Sequence, residues 1–166
     1  RRTTSSTVVT PHQLREIFFW YKKAADQSHL EAQFALSSLY SEGRGVEKDV
    51  HLALLWLRRA AEQGLAVAQY RLALCYEHGE GVAKDDALKL HWLRKAAEQQ
   101  EPNALFALGV LYEAGIDGRA DLQEALVFYR QAADRGHPEA LYRLGIGYLD
   151  GLGGEVDTEA FENRTA

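Results

Sequence analysis

Six histidines and one cysteine are the residues of this 166-residue chain best equipped for metal binding or nucleophilic attack. A metal site needs ligands at short, recurring separations, such as two histidines roughly three to five residues apart on one helix. His12, His29, His51, His78, His91 and His137 are read as scattered, with no shared position and no paired spacing, so they are expected on the surface. Neither a metal nor any other cofactor is expected. Cys75 takes a place held elsewhere in the chain by Leu39 and Leu111, which marks it as a buried apolar residue rather than a nucleophile. The glycine pairs Gly43/Gly45 and Gly79/Gly81 are candidates for a phosphate cradle. No Gly-x-x-x-x-Gly-Lys-Ser/Thr loop accompanies them, however, and the aspartates that follow, Asp49 and Asp85, repel an anion. The basic groups Lys22-Lys23, Arg58-Arg59, Arg94-Lys95 and Arg130 suggest a ladder for an anionic ligand. An acid stands four residues after the first base each time, at Asp26, Glu62, Glu98 and Asp134, so the ladder reads as ion pairs on a solvated helix face. No catalytic residue is assigned, and the chain is not expected to be an enzyme.

These residues sit in a strict repeat. Trp56-Leu57-Arg58-Arg59-Ala60-Ala61 has counterparts beginning at Trp20, Trp92 and Phe128, each 36 residues from the next. A period of that length denotes stacked supersecondary units. Within a unit the first element carries apolar residues at helical spacing, as in Ala32, Leu36, Leu39 and Tyr40, and then meets Gly43-Arg44-Gly45, a turn built for positive φ. Asp49 caps a second helix that Gly64 ends. Each unit is therefore a helical hairpin.

The reading along the chain is a flexible leader over 1–10 and a repeat domain over 11–157. That domain comprises a partial repeat 11–29, repeats 30–65, 66–101 and 102–137, and a partial repeat 138–157. Residues 158–166 are read as an incomplete repeat or frayed tail. Thr10-Pro11 starts the first helix, with Thr as cap and Pro in the first helical position. Glu124 lies three residues after Asp121 in a capping-box arrangement, and Asp117-Gly118 replaces the Gly-Val of other copies, which predicts a rearranged turn. The fourth copy keeps Gly151, Gly153, Asp157 and Ala160 but lacks the aromatic of the second helix, as expected of a truncated array. The chain contains no methionine, so it is taken as a processed form or fragment whose targeting segment is absent.

Small and large residues recur in fixed columns: Ala32, Ala68, Ala104 and Ala140 beside Leu36, Leu72, Leu108 and Leu144, then Tyr40, Tyr76, Tyr112 and Tyr148. Ala60, Ala96 and Ala132 do the same in second helices, which lets backbones approach and large side chains interdigitate. Trp20, Trp56, Trp92 and Phe128 are each expected to bury roughly 150–250 Å² as core rather than as a cofactor box.

The chain is soluble in composition, with 46% apolar and 26% charged residues, and its apolar runs are far too short to span a bilayer. A net charge of −5 and a pI near 5.7 argue against a nucleic-acid partner. The single cysteine demands no oxidising compartment and excludes none, so periplasm and cytoplasm are both possible.

Ala32-Gln33-Phe34-Ala35-Leu36, Tyr40, Gly43-Arg44-Gly45-Val46, Lys48-Asp49, Trp56, Ala60-Ala61 and Gly64 together resemble the Sel1-like repeat, a relative of the tetratricopeptide repeat. The resemblance runs from Phe18 to about Asp157. It implies an all-α fold, a right-handed α/α superhelix of antiparallel helix pairs, serving as an adaptor for protein complexes. The expected partner is another protein or a peptide, with no nucleic acid and no membrane insertion, and the chain is expected to be monomeric unless its truncated end pairs. An immunity or inhibitor protein that sequesters one toxin or hydrolase is the alternative. Some cysteine-rich members of the family are linked to β-lactam binding or hydrolysis, but this chain has no Ser-x-x-Lys. Ser28 and Gln100 depart from the family's terminal glycine, and Asp117 from the second glycine of its turn.

In such superhelices first helices line the concave side. Away from the core stripe their positions are Glu31, Ala35, Ser38 and Glu42, then Val67, Arg71, Leu74 and His78, then Asn103, Ala107, Val110 and Ala114, and last Glu139, Arg143, Ile146 and Asp150. Leu74, Val110 and Ile146 place apolar groups where the first copy has Ser38, with Arg71 and Arg143 beside them for carboxylate pairing. The expected partner-binding set is Ser38, Arg71, Leu74, His78, Val110, Arg143 and Ile146. The competing reading turns these residues toward the adjacent repeat.

Overall fold

The computed structural model describes residues 9–116 and 118–151. Among these are eight helices: α1 (Pro11–Asp26), α2 (Leu30–Glu42), α3 (Val50–Glu62), α4 (Ala66–His78), α5 (Asp86–Glu98), α6 (Pro102–Ala114), α7 (Leu122–Asp134) and α8 (Pro138–Leu149). The only β-type pairing among them is one isolated bridge, Ile116 with Arg119. The chain is an all-α repeat solenoid, in which α2/α3, α4/α5 and α6/α7 are successive helix pairs. Backbone contacts divide it into two compact units, Arg1–Trp92 and Leu93–Ala166, so that the division falls inside α5. Most of the leader, Asp117, and the expectations placed on Gly153, Asp157, Ala160 and the tail lie outside the described residues.

Helix ends follow the side chains available to cap them. Thr10 accepts from the Gln13 amide at 3.2 Å while the Gln13 side chain accepts from the Thr10 amide at 2.8 Å, a complete capping box with Pro11 inside it. Asp49, Asp85 and Asp121 cap the second helices by accepting from the amides of Leu52, Leu88 and Glu124. The first helices use other acceptors, and here the reading of scattered histidines is corrected. His29 and His137 occupy the same position of their repeats, and each Nδ1 accepts from an amide three residues on, Ala32 at 3.4 Å and Ala140 at 3.2 Å. Glu101 does the same for Ala104 at 2.7 Å. An imidazole does this only through an unprotonated nitrogen, so these histidines are caps, not idle surface groups.

The glycine turn has a steric reason as well as a conformational one. Gly43 and Gly79 leave their helices at φ 70° and 77°, and Gly45 and Gly81 follow at 74° and 73°. A Cβ on Gly45 would lie 2.2 Å from the Leu14 carbonyl oxygen, and one on Gly81 would lie 3.0 Å from Val50, the repeat equivalent of Leu14. The second glycine thus lets the turn rest on the start of the preceding second helix. In the third copy the chain leaves Gly115 at φ 100° and ψ 109° and forms the Ile116–Arg119 bridge, the rearrangement expected from its sequence. All three turns nonetheless end alike, with the amides of Asp49, Asp85 and Asp121 donating to the carbonyls of Tyr40, Tyr76 and Tyr112.

Between hairpins, Gly64 and Gly136 take positive φ, and Ser28 and Gln100 take it too, at 65° and 61°. A left-handed conformation costs a residue with a Cβ about 1–2 kcal/mol, partly offset by the greater chain entropy of glycine when unfolded. Ser28→Gly is therefore expected to stabilise the protein by about 0.5–1 kcal/mol, read as a higher urea midpoint. An unchanged or lower midpoint would contradict this account of the junction.

In the first unit the core gathers Ala25, Ala32, Leu36, Tyr40, Ala53 and Trp56, with Phe18 edge-on to Tyr40 at 5.4 Å. Buried Gln33 and Gln69 each donate to the last turn of the preceding second helix, at the carbonyls of Ala25 and Ala61. In the second unit Leu105, Leu108, Tyr129 and Ala132 are buried, Tyr112 stacks on Phe128 at 5.3 Å, and Phe106 stacks on His137 at 4.5 Å.

Two expectations need correction. Trp56 and Trp92 are buried, but Trp20 is 59% exposed and Phe128 is only half-buried. Trp20 lies on the side of α1 where a preceding first helix would pack, and no described helix precedes α1. In α7 the next residue, Tyr129, stays buried like Leu57 and Leu93, while Phe128 stacks on Tyr112, itself half-buried. The ladder of ion pairs is also only partly realised. Lys22 meets Asp26 at 2.6 Å, but Arg58 donates to the Tyr76 hydroxyl at 3.2 Å and Arg130 lies over the Tyr148 ring at 5.6 Å. In α3 and α7 the first base reaches for the tyrosine of the next first helix, buried Tyr76 and half-buried Tyr148, whose rings are better held than an exposed side chain.

Candidate functional site

Each unit contains a cleft at the same place in the repeat, where a first helix, its second helix and the next first helix meet. In the first unit α3 supplies an apolar floor of Val50, Ala53, Leu54 and Leu57. The α2 wall carries Ser37, Ser38, Ser41 and Glu42, and the α4 side carries Arg71 and Cys75, with Glu80 from the following turn. This cleft is about 310 Å³. Its counterpart in the second unit, about 80 Å³, is formed by Leu122, Ala125, Leu126 and Tyr129 of α7, Glu113 of α6, and Arg143, Ile146 and Gly147 of α8, with Asp150 just beyond.

The serines reach the cleft wall because α2 has spent Leu36, Leu39 and Tyr40 on the core, leaving its next face small and polar. Ser37 and Ser38 donate to the Phe34 carbonyl at 2.8 and 3.4 Å, and Ser41 donates to the Ser38 carbonyl at 2.9 Å. Arg71 Nη2 donates to Glu80 at 3.3 Å across the mouth, and both side chains are close to half exposed, at 47% and 46%. Such a pair is worth at most about 1 kcal/mol. Glu42 pairs with Arg44 at 3.4 Å. Burial raises the Cys75 thiol above its ordinary value, the Glu80 charge raises it further, and Arg71 opposes both weakly. Cys75 is therefore held as a neutral thiol, as its place in an apolar column suggests.

In the second unit Arg143 Nη1 donates to both Glu113 oxygens at 3.1 and 3.3 Å, and its Nε lies 3.6 Å from Glu139. The Tyr129 hydroxyl also donates to Glu113. Burial, followed by that bond and the Glu113 charge, holds the Tyr129 phenol neutral far above its ordinary range.

Of the residues picked from sequence, Ser38 and Arg71 line the first cleft and Arg143 and Ile146 the second. Leu74, His78 and Val110 line neither. Leu74 is half-buried and His78 exposed, while Val110 and Ile146 are each 37% exposed. The arginines are not idle, since both already hold carboxylates of their own unit. Sequence reading missed Ser41, Leu57, Glu80, Glu113 and Tyr129. The signal lay in two columns where copies disagree, Ser41 against Glu113 and Leu57 against Tyr129, on a face outside the positions that were searched. Among the described residues no cluster of three or more His, Cys, Asp or Glu is placed to hold a metal ion, and no helix is long and apolar enough to cross a membrane.

The family described as Sel1 repeat matches residues 18–29, 30–65, 66–101, 102–137 and 138–161. No curated protein matches the sequence. Among solved structures, a Sel1 repeat protein from Oxalobacter formigenes is 38% identical, with a TM-score of 0.83 over 87% of this chain and 42% of its own. A protective antigen present in uropathogenic Escherichia coli strains, which displays an SLR fold, is 30% identical, with a TM-score of 0.71 over 83% of this chain and 32% of its own. Helicobacter pylori cysteine rich protein B shares the fold, at 22% identity and a TM-score of 0.54 over 60% of this chain and 74% of its own. The chain thus spans less than half the length of the first two. Proteins built from such repeats generally mediate protein–protein interaction and are typically non-enzymatic scaffolds.

Proposed function

Because the chain belongs to the Sel1 repeat family, we infer that it is a scaffold whose first helices, α2, α4, α6 and α8, receive a protein or peptide partner. The observation that carries this reading is that Arg71 and Arg143 recur on first helices beside one apolar column. Second helices bury Trp56, Leu57, Trp92, Leu93 and Tyr129 in the core, although Leu55 and Val127 stay exposed. First helices keep Val110 and Ile146 in reach of solvent, with Leu74 half-buried at the same repeat position and Arg71 and Arg143 three residues before two of these positions. Apolar groups beside guanidinium groups are the usual anchors of protein interfaces.

Specificity then resides where repeats differ rather than where they agree. Leu74→Asp is expected to weaken partner binding at least tenfold, about 1.4 kcal/mol, with helicity by circular dichroism unchanged. Binding at wild-type strength by both Leu74→Asp and Ile146→Asp would sink the assignment of this face. A partner of fixed stoichiometry, measured by calorimetry, is the form of binding a scaffold of this kind requires.

A further inference from the structure

We propose that the cleft of the first unit receives a glutamate side chain of the partner, at the place where the second cleft already holds one of its own. The inference rests on the reading of first helices as the partner surface and names what that surface recognises. Arg71 and Arg143 stand two repeats apart at the same position, as do Ser41 and Glu113, and Leu57 and Tyr129. In the second cleft Glu113 accepts from Arg143 and from Tyr129 and fills the space between them, leaving about 80 Å³. In the first cleft the arginine is retained and the glutamate is not. Ser41 replaces Glu113, Leu57 replaces Tyr129, and about 310 Å³ stays open.

The charges and the lining favour the same occupant. Arg71 is held only across the solvent-exposed mouth, by Glu80 at 3.3 Å, and a carboxylate inside the cleft would exchange with Glu80 and release it to water. The Ser38 hydroxyl makes a long bond of 3.4 Å to its own helix and turns readily to donate to an incoming oxygen. Leu54 and Leu57 cover the methylenes. Glu42, at the exposed edge of the cleft, pairs with Arg44 at 3.4 Å, and solvent screens its charge.

The test titrates an acetylated and amidated pentapeptide, alanine-leucine-glutamate-leucine-alanine, into the isotope-labelled full chain. The signals followed are the Arg71 Nε–H and the Ser38 and Ser41 amides. Shifts at these positions are expected, with affinity falling at least fivefold when glutamine replaces the glutamate and again in Arg71→Ala. Ser41→Glu, which supplies the carboxylate from within as Glu113 does, is expected to abolish the shifts. Ser41→Gln, of equal size and no charge, shows whether filling the cleft alone accounts for that loss, and retention of the preference for glutamate over glutamine in this variant is expected. Equal binding of the glutamate and glutamine peptides would overturn the proposal. So would tighter binding of a lysine peptide, tighter binding of an all-apolar peptide with a free C-terminal carboxylate, or undiminished binding by Ser41→Glu. Loss of partner binding in Leu74→Asp together with indifference between glutamate and glutamine would overturn this proposal and leave the partner surface standing.

Discussion

Trp56→Ala is expected to destabilise the first unit by about 3–5 kcal/mol, while the same change at Trp20 costs less than about 1 kcal/mol. The two tryptophans hold the same position of their repeats, so register alone does not distinguish them. Their surroundings do: Trp56 is 5% exposed in a core shared by α1, α2 and α3, whereas Trp20 is 59% exposed. Removing Trp56 leaves a cavity among Leu36, Tyr40 and Ala53, with alanines too small to collapse into it. It also removes the ring beneath the Arg59 guanidinium, 4.7 Å from its centroid, and near Lys22, at 5.4 Å. Urea unfolding measures both variants, with m-values compared because repeat arrays can unfold in stages. Equal losses at the two sites would contradict the assignment of Trp20 to an open face.

Gly45→Ala carries the second large effect, about 2–5 kcal/mol. The positive φ of 74° accounts for about 1–2 kcal/mol of it. The remainder arises because the new methyl would sit 2.2 Å from the Leu14 carbonyl oxygen and 2.6 Å from its carbon, so the backbone of α1 has to move. Gly64→Ala isolates the first contribution, since Gly64 also has positive φ, at 101°, but a Cβ there meets nothing within 4 Å. The expected order of urea midpoints is therefore wild type, Gly64→Ala, Gly45→Ala. Equal midpoints for the two variants would show that the turn does not rest on α1.

The repeat made the helices, their order and most of the core legible before any coordinates. The alanine column is buried in every copy and the leucine and tyrosine columns in the earlier ones, with Tyr112, Leu144 and Tyr148 only half-buried, because the same contacts recur from copy to copy. What spacing could not supply was context. Trp20 has the sequence of a core residue and the environment of a surface one, because burial depends on the neighbouring repeat. Arg58 has an acid four residues on, yet it finds a tyrosine on the next helix, a choice decided by tertiary distance rather than by helical periodicity. His29 and His137 were hidden because they recur in only two copies, the role passing to Glu101 in a third and, in the copy begun by Leu65, to no side chain.

The candidate site was half legible for the same reason. First-helix positions singled out Ser38, Arg71, Arg143 and Ile146, which line the two clefts. The partners that make those clefts unlike each other, Ser41 against Glu113 and Leu57 against Tyr129, belong to columns whose other members look like ordinary surface and core. Only their meeting beside an arginine gives the difference a chemical meaning.

The central claim is that the first helices, not the second, carry the partner. Hydrogen–deuterium exchange of the full chain, alone and with a partner whose capture depends on Leu74, tests it most directly. The account predicts slowed exchange at the amides of α4 around Arg71, Leu74 and His78 and at those of α2 around Ser38, with α3 little changed. Protection confined to α3, or to the outward face of α1 around Trp20, would contradict it.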